Sequence, residues 1–139
     1  MVEVLFIEDK QADAILMQAI LKGSKKEKFN LVLASSFKMG TILLEQRNFD
    51  VILLSLNLRA TSSVKTLLGL LKDIKDIPVI VCTDSTDDSL KIEALNSGAY
   101  SFIIKNQIQA SLLIHRIKFV VETFKRSNRE YLMFAGNIF

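Results

Sequence analysis

The sequence predicts a three-layer α/β fold, in which a parallel five-stranded sheet lies between two layers of helices. Apolar runs that are rich in β-branched residues alternate five times with segments of helical periodicity. The links between them are short, as expected for parallel strands that are joined by crossover helices. The runs are almost continuously apolar, which is typical of strands that helices cover on both faces.

The first half of the chain is predicted to contain three strands and two helices. Residues 2–7, 29–34 and 51–54 form the three apolar runs. Between the first two runs, apolar residues recur at i, i+3 and i+4, so we expect an amphipathic helix that ends near Gly23. A second helix, capped by Ser35 or Ser36, is expected to end near Arg47.

The second half is predicted to contain two strands and three helices. A polar loop over 57–63 follows the third strand, and leucines at helical spacing predict a helix over 64–74. Pro78 opens the fourth strand, 79–82, where its missing N–H costs no ladder bond. A helix over 90–96 ends before Gly98 and precedes a fifth strand over 100–104. The pattern from about Gln107 onwards predicts one long helix.

Composition places the chain among globular proteins of one ordinary domain. It has 139 residues, of which 50% are apolar and 24% charged, so disorder is not expected. The single cysteine, Cys82, lies in an apolar run and is expected to be a buried packing thiol in a reducing compartment. No apolar stretch approaches the length that a bilayer requires, and no charged leader precedes the first strand. A cytoplasmic location and no membrane partner are therefore expected.

The charge balance is mildly basic. The net charge is +3 and the pI is about 9.0, with Lys and Arg concentrated in residues 22–28 and 118–129. Aromatic residues are not interleaved with these charges in a recognisable module, so a solvated face is the favoured interpretation and nucleic acid is not an expected partner.

Five polar residues directly follow apolar runs, and they define the candidate site. They are Glu8, Asp9, Ser55, Thr83 and Lys105. Because loops after parallel strands gather at one edge of a doubly wound sheet, these side chains are expected to converge there. Each residue alone is weak evidence, but the set combines acids, hydroxyls and a lysine.

Four segments give the chain its resemblance to a known family. They are residues 4–9, 49–58, 78–83 and 98–105. In this order they resemble the strand ends of a receiver domain of two-component response regulators, over residues 2–125. The resemblance implies a flavodoxin-like (CheY-like) sheet in the order 2-1-3-4-5. It also implies a role in signal transduction, by contact with a protein partner such as a histidine kinase or a downstream regulator, and no enzymatic activity.

The resemblance also assigns roles to individual residues. The acidic pair Glu8 and Asp9, with the backbone carbonyl of Asn57, would hold Mg²⁺. Thr83 and Lys105, the residue after the fifth strand, would contact phosphoryl oxygens. Thr83 and Phe102 would occupy the hydroxyl and aromatic positions that move when a receiver switches.

The chain departs from the family pattern at the position that matters most for phosphorylation. Ser55 stands where receivers carry the phosphate-accepting aspartate. In the loop that follows, Arg59 and Ala60 replace the usual proline and aspartate, and Ser63 replaces the usual glycine. Asn106 replaces the proline after the lysine, a common variant. We therefore expect a divergent pseudo-receiver, a protein-interaction module that works independently of phosphorylation.

The loss of one carboxylate changes the electrostatics of the expected site. Three carboxylates and one lysine give a formal charge of −2, and Ser55 reduces it to about −1. Since Mg²⁺ dehydrates reluctantly without enough oxygen ligands, we expect metal binding to be weak or absent. Lys105 is then expected to pair with Asp9 or Glu8 and to hold one conformation permanently.

Several alternatives remain open at this stage. Mg-dependent phosphorylation at Ser55, with Asp9 as a base, or at a nearby acid would make the chain an active phosphorelay receiver. Asp84 or Asp87 would replace the missing carboxylate, although helix capping explains both more simply. A flavin or nucleotide site is disfavoured because no glycine-rich loop follows the first strand. DNA binding is disfavoured because no helix-turn-helix follows the receiver-like part.

The last helix is longer than a receiver needs. We expect a receiver-like domain over 1–125 and a C-terminal helical extension over 126–139. Apolar residues recur at helical spacing along the whole last helix, from the receiver-like domain into the extension: Leu113, Ile117, Val120, Val121, Phe124, Tyr131, Leu132 and Phe134. Such a stripe either forms a homodimer, docks on a partner or folds back on its own domain.

Overall fold

A computed structural model gives the architecture of the protein. The structure describes residues 1–56 and 63–138, and for residues 129–138 it describes only the helical backbone. The strands are β1 (Val2–Ile7), β2 (Phe29–Ala34), β3 (Val51–Leu56), β4 (Val79–Thr83) and β5 (Ser101–Ile104). The helices are α1 (Gln11–Lys22), α2 (Phe37–Gln46), α3 (Val64–Ile74), α4 (Asp88–Asn96) and α5 (Ala110–Ile138).

The five strands form one parallel sheet in the order β2-β1-β3-β4-β5, which confirms the predicted topology. Strands β3 and β4 run further than the apolar residues alone predict, through Leu56 and Thr83. Their ends pair in register, with Leu56 opposite Thr83, so ladder hydrogen bonds extend the strands into the polar edge. Strand β5 begins one residue later than expected, although Tyr100 still donates its N–H to the Val79 carbonyl at 2.8 Å.

Alternating side chains of the sheet build two apolar cores, one on each face. On one face Leu5, Ile52 and Val81 pack against α2, α3 and α4. On the other face Phe6 and Leu53 pack against α1 and α5. All five of these side chains are at most 1% exposed, because helices cover both faces of the central strands. The three layers are therefore as predicted.

Caps fix where the helices begin. The Ser36 hydroxyl accepts the Met39 N–H at 3.1 Å at the start of α2, and Ser63 accepts the Thr66 N–H at 3.2 Å at the start of α3. Asp87 accepts the Ser89 N–H at 2.9 Å, so it caps α4, as the simpler interpretation of this residue predicts. Each cap satisfies a backbone donor that the helix leaves unpaired.

The last helix begins later than the sequence suggests and is long. A turn in which the Gln107 N–H binds the Ile104 carbonyl at 3.1 Å precedes α5, so the helix starts at Ala110 rather than near Gln107. Its 29 residues correspond to about 44 Å at 1.5 Å per residue. Over the described residues, no helix is both long enough and apolar enough to cross a membrane.

Candidate functional site

The carboxyl ends of β1, β3, β4 and β5 bring most of the predicted site residues to one edge of the sheet. Register pairs Ile7 of β1 with Leu54 of β3, so Glu8 and Ser55 are the next residues along these adjacent strands. At the end of β4, the Thr83 carbonyl accepts the backbone N–H of Lys105 at 2.8 Å, which ties the end of β5 to the same edge. The expected convergence is therefore present.

Glu8 is a buried carboxylate whose two oxygens both have partners. The residue is 4% exposed. Its Oε2 accepts a hydrogen bond from Lys105 Nζ at 2.9 Å, and its Oε1 accepts the backbone N–H of Lys10 at 3.2 Å. A buried charge is tolerated only when it is paired and hydrogen-bonded, and Glu8 meets both conditions.

Lys105 binds a second carboxylate, and it is one that the sequence did not predict. Its Nζ lies 3.0 Å from Asp13 Oδ2, in the first turn of α1. The lysine side chain is only 12% exposed, and those of Glu8 and Asp13 are 0% and 23% exposed. The ammonium therefore holds one acid from the strand edge and one from the helix that packs beside it.

The expected pairing of Lys105 with Asp9 or Glu8 is thus confirmed for Glu8, and Asp13 is a second acid that Lys105 binds. Asp9 itself lies at the exposed start of the link into α1. The only sequence signal for Asp13 was an acid in the first turn of a predicted helix. Stabilisation of the helix N-terminus explains that pattern equally well.

The pKa of the Lys105 ammonium reflects these contacts. Burial alone lowers the pKa of a lysine, because it disfavours the charged form. The hydrogen bonds and charges of Glu8 and Asp13 outweigh this effect and raise the pKa above its ordinary value of 10.5. Lys105 is therefore held as a cation.

Ser55 places a hydroxyl in a buried position. The residue pairs in register with Cys82 of β4. Its Oγ is buried and has no hydrogen-bond partner among the described residues, 1–56 and 63–138. A neutral hydroxyl is far less costly to bury without a partner than a carboxylate, so the substitution suits this environment.

The hydroxyl and aromatic positions of the expected switch are both buried. Thr83 is 3% exposed and its Oγ1 accepts the Ser85 N–H at 3.1 Å. Phe102 is 8% exposed and belongs to the apolar core that also contains Ala94 of α4. Arg116 of α5 donates to the Phe102 carbonyl at 3.2 Å and to Ser101 Oγ at 3.1 Å, which fastens β5 to α5.

Glu8, one of the magnesium ligands that the resemblance implies, is already engaged by other groups. Mg²⁺ requires near-octahedral oxygen ligands, usually including carboxylates. Both oxygens of Glu8 are already engaged, and one of them is bound to an ammonium ion. Among the side chains that the structure describes, those of residues 1–56 and 63–128, no group of three or more acidic, histidine or cysteine residues is arranged for a metal. Asn57, Arg59 and Ala60 lie outside the described residues, so their predicted contributions stay predictions.

Comparisons with known proteins agree with the fold. Residues 4–118 match the model of the family described as the response regulator receiver domain. The transcriptional regulatory protein ZraR of Escherichia coli O157:H7 is 28% identical over 119 residues, which cover 80% of this chain and 25% of that protein. The KDP operon transcriptional regulatory protein KdpE of Escherichia coli K12 is 29% identical over 118 residues, which cover 82% of this chain and 51% of that protein.

A solved structure shows the same architecture. The CheY-like response regulator receiver domain protein of Methanospirillum hungatei JF-1 superposes with a TM-score of 0.77 at 19% identity, over 91% of this chain and 98% of that one. At this identity the likeness concerns the fold. The chain spans about a quarter to a half of the length of the curated relatives named above. The family model covers most of the chain, and the chain therefore belongs to the response regulator receiver domain family.

Proposed function

We propose that this protein is a receiver domain that regulates a protein partner by contact, without phosphorylation at position 55. The observation that carries the proposal is the state of Lys105. In the family resemblance this lysine contacts the phosphoryl group, but here its ammonium is bound by Glu8 at 2.9 Å and Asp13 at 3.0 Å. An incoming phosphoryl group would have to displace carboxylates that are largely shielded from water.

The chemistry of Ser55 supports the same conclusion. A carboxylate attacks phosphorus as it stands, whereas a serine hydroxyl must lose its proton to a base. No hydrogen bond joins Ser55 Oγ to a base among the described residues. Among the described residues, the edge therefore offers no activated nucleophile, and its lysine is already bound by two carboxylates.

Exposure to a small phosphodonor tests this proposal. The full chain is incubated with acetyl phosphate and Mg²⁺, and its intact mass is measured. We expect no gain. A stable gain of one phosphoryl group would refute the proposal and favour an active phosphorelay receiver. In that case Ser55→Ala would locate the acceptor, because a gain that survives the substitution belongs to a nearby acid.

We further propose that the partner surface includes the C-terminal part of α5, and that a second copy of this chain occupies it. Near the end of the described side chains, Phe124 packs edge-on against Tyr100 with the ring centroids 5.7 Å apart, and Lys125 lies 3.5 Å from Asp50. The helical backbone then continues to Ile138.

The sequence of α5 supports this choice of occupant. Apolar residues follow alternating spacings of four and three, and Ser127 is the one interruption: Leu113, Ile117, Val120, Phe124, Tyr131, Phe134 and Ile138. The first three residues are buried under their own sheet. A sustained 4-3 repeat favours the pairing of helices in a coiled coil, so the later residues suit a second α5.

A further inference from the structure

We propose that Asp13 is the residue that denies anions access to Lys105, acting as a substitute for the carboxylate that position 55 lacks. This inference rests on the proposed function and deepens it, because it names the side chain that keeps the edge closed to phosphoryl groups. Asp13 is a positioning residue: it acts through the lysine rather than on a ligand.

Geometry places Asp13 in direct competition with any anion at this edge. A lysine ammonium has three donors, and the described contacts assign one to Glu8 Oε2 and one to Asp13 Oδ2. The Asp13 carboxylate comes from α1, across 92 residues of sequence from Lys105. Its hydrogen bond therefore links the residue that follows β5 to α1, the first helix of the chain.

The position of Asp13 on α1 favours its charge. The residue lies in the first turn of the helix, where the helix dipole stabilises a carboxylate. The side chains of Lys105 and Asp13 are only 12% and 23% exposed, so solvent screens this pair less than a pair between two exposed side chains.

The local charge determines which variants test this inference. Glu8, Asp9, Asp13 and Lys105 sum to a formal charge of −2, of which Asp13 contributes one negative charge. The substitution Ser55→Asp alone would add a further negative charge and leave Lys105 bound to its present partners. Combining Ser55→Asp with Asp13→Asn would instead keep the formal charge at −2, place a carboxylate at position 55 and remove the Asp13 carboxylate from Lys105.

The decisive experiment compares five forms of the full chain. They are the wild type, Asp13→Asn, Ser55→Asp, Ser55→Asp with Asp13→Asn, and Ser55→Asp with Asp73→Asn. Asp73 is an exposed acid on α3, so its substitution matches the charge change without touching Lys105. Each form is incubated with acetyl phosphate and Mg²⁺ and its intact mass is measured. In a phosphorylated form, a carboxylate oxygen bonds to phosphorus while the bond from phosphorus to acetate breaks and acetate leaves.

We expect the double variant with Asp13→Asn to gain a phosphoryl group, and the Ser55→Asp single variant and the Asp73 control to gain far less. Equal gain in Ser55→Asp and in the Asp13 double variant would overturn the inference, as would no gain in a double variant that circular dichroism shows to be folded. A gain in the wild type would instead refute the proposed function, so the two failures are distinguishable.

A second measurement tests the inference without phosphoryl transfer. The pKa of Lys105 is followed by NMR of its ε-ammonium group in the wild type, in Asp13→Asn and in Asp73→Asn. If Asp13 holds the lysine, its pKa falls in Asp13→Asn and is unchanged in the Asp73 control. An unchanged pKa in Asp13→Asn would show that the Asp13 contact does not restrain Lys105.

Discussion

Lys105 connects three parts of the molecule that are distant in sequence. It directly follows β5, and its ammonium binds Glu8 after β1 and Asp13 in α1. Removing charges from water is costly, so such a cluster adds little to the net free energy of unfolding. Removing one member is nevertheless strongly destabilising, because it leaves a buried charge without a partner. Every partner of Lys105 thereby restricts the conformations that the edge can adopt.

The substitution Lys105→Met is expected to destabilise the protein strongly. Glu8 would remain as a buried carboxylate whose charge lacks its nearest partner, and breaking a buried pair in this way costs about 3–5 kcal/mol. Urea denaturation measures the free energy of unfolding. Lys10→Met is the matched control, since Lys10 and Asp84 lie 4.0 Å apart with side chains more than half exposed, and we expect a loss below about 1 kcal/mol.

A second substitution separates the charge effect from lost packing. Adding Glu8→Gln to Lys105→Met removes the uncompensated charge, so part of the lost stability should return. If the double variant is no more stable than Lys105→Met, the buried charge is not the cause of the loss.

We expect Cys82 to make the free energy of unfolding depend on pH in the alkaline range. Burial raises the pKa of its thiol from 9.0 to about 12, with the charge of Lys105 opposing the shift and that of Glu8 adding to it. Between these values the unfolded chain ionises and the folded chain does not. The thiol's contribution to stability is therefore complete below pH 9 and is lost as the pH rises, by about 1.4 kcal/mol per pH unit.

Comparing Cys82→Ala with the wild type at pH 7 and pH 10 checks this expectation. The free energy of unfolding should fall with pH more steeply in the wild type than in the variant. Lys105, whose pKa is also raised, loses its contribution at still higher pH in both proteins. Equal slopes would mean that the Cys82 thiol ionises as readily in the folded as in the unfolded chain.

At the scale of elements, one close approach between a helix and a strand depends on a glycine. A Cβ on Gly40 of α2 would lie 2.6 Å from Ile7 Cδ1 and 2.8 Å from Ile7 Cγ1. Ile7 is a core residue of β1, 4% exposed, directly before Glu8. The absence of a side chain at position 40 thus lets α2 pack tightly on the strand that carries the buried acid.

Gly40→Ala is expected to destabilise the protein by about 1–3 kcal/mol through overpacking, reduced by the higher helix propensity of alanine. Gly69→Ala in α3 is the matched control, because a Cβ there meets no atom within 4 Å. It should stabilise by up to about 1 kcal/mol. Thermal or urea unfolding of both variants measures these changes in stability. If Gly40→Ala is as stable as Gly69→Ala, the Ile7 side chain adjusts to the added methyl group without loss of stability.

At the scale of the whole molecule, the proposed pairing of α5 with a second copy predicts the oligomeric state. The full chain should behave as a dimer in multi-angle light scattering if α5 pairs with a second α5. Phe134→Lys places a charge in the apolar repeat and should give a monomer, whereas Asn128→Lys, outside the repeat at an exposed position, should leave the dimer intact. A monomeric wild type at micromolar concentration would contradict the proposed second-copy partner.

The sequence predicted most of the fold because periodicity is a local property. The bounds of β1, β2 and α3 agree with the predicted ranges, since each is a run whose apolar pattern stops abruptly. The observed strand ends differ from the predicted ones where hydrogen bonds between strands determine them. Leu56 and Thr83, for example, pair with each other and so extend β3 and β4. Ser36 rather than Ser35 caps α2 for a similar reason, because only the structure shows which hydroxyl reaches an N–H.

The sequence by itself determined which chemistry stands at the edge of the sheet. A residue that follows a buried parallel strand must lie at the carboxyl edge, so Glu8, Ser55, Thr83 and Lys105 were located from position alone. Only the tertiary structure decided how these groups pair. Asp13 lies on a helix, and the side chain that it meets depends on where the packing of α1 on the sheet places its first turn relative to the end of β5, a relation between elements that no local pattern encodes.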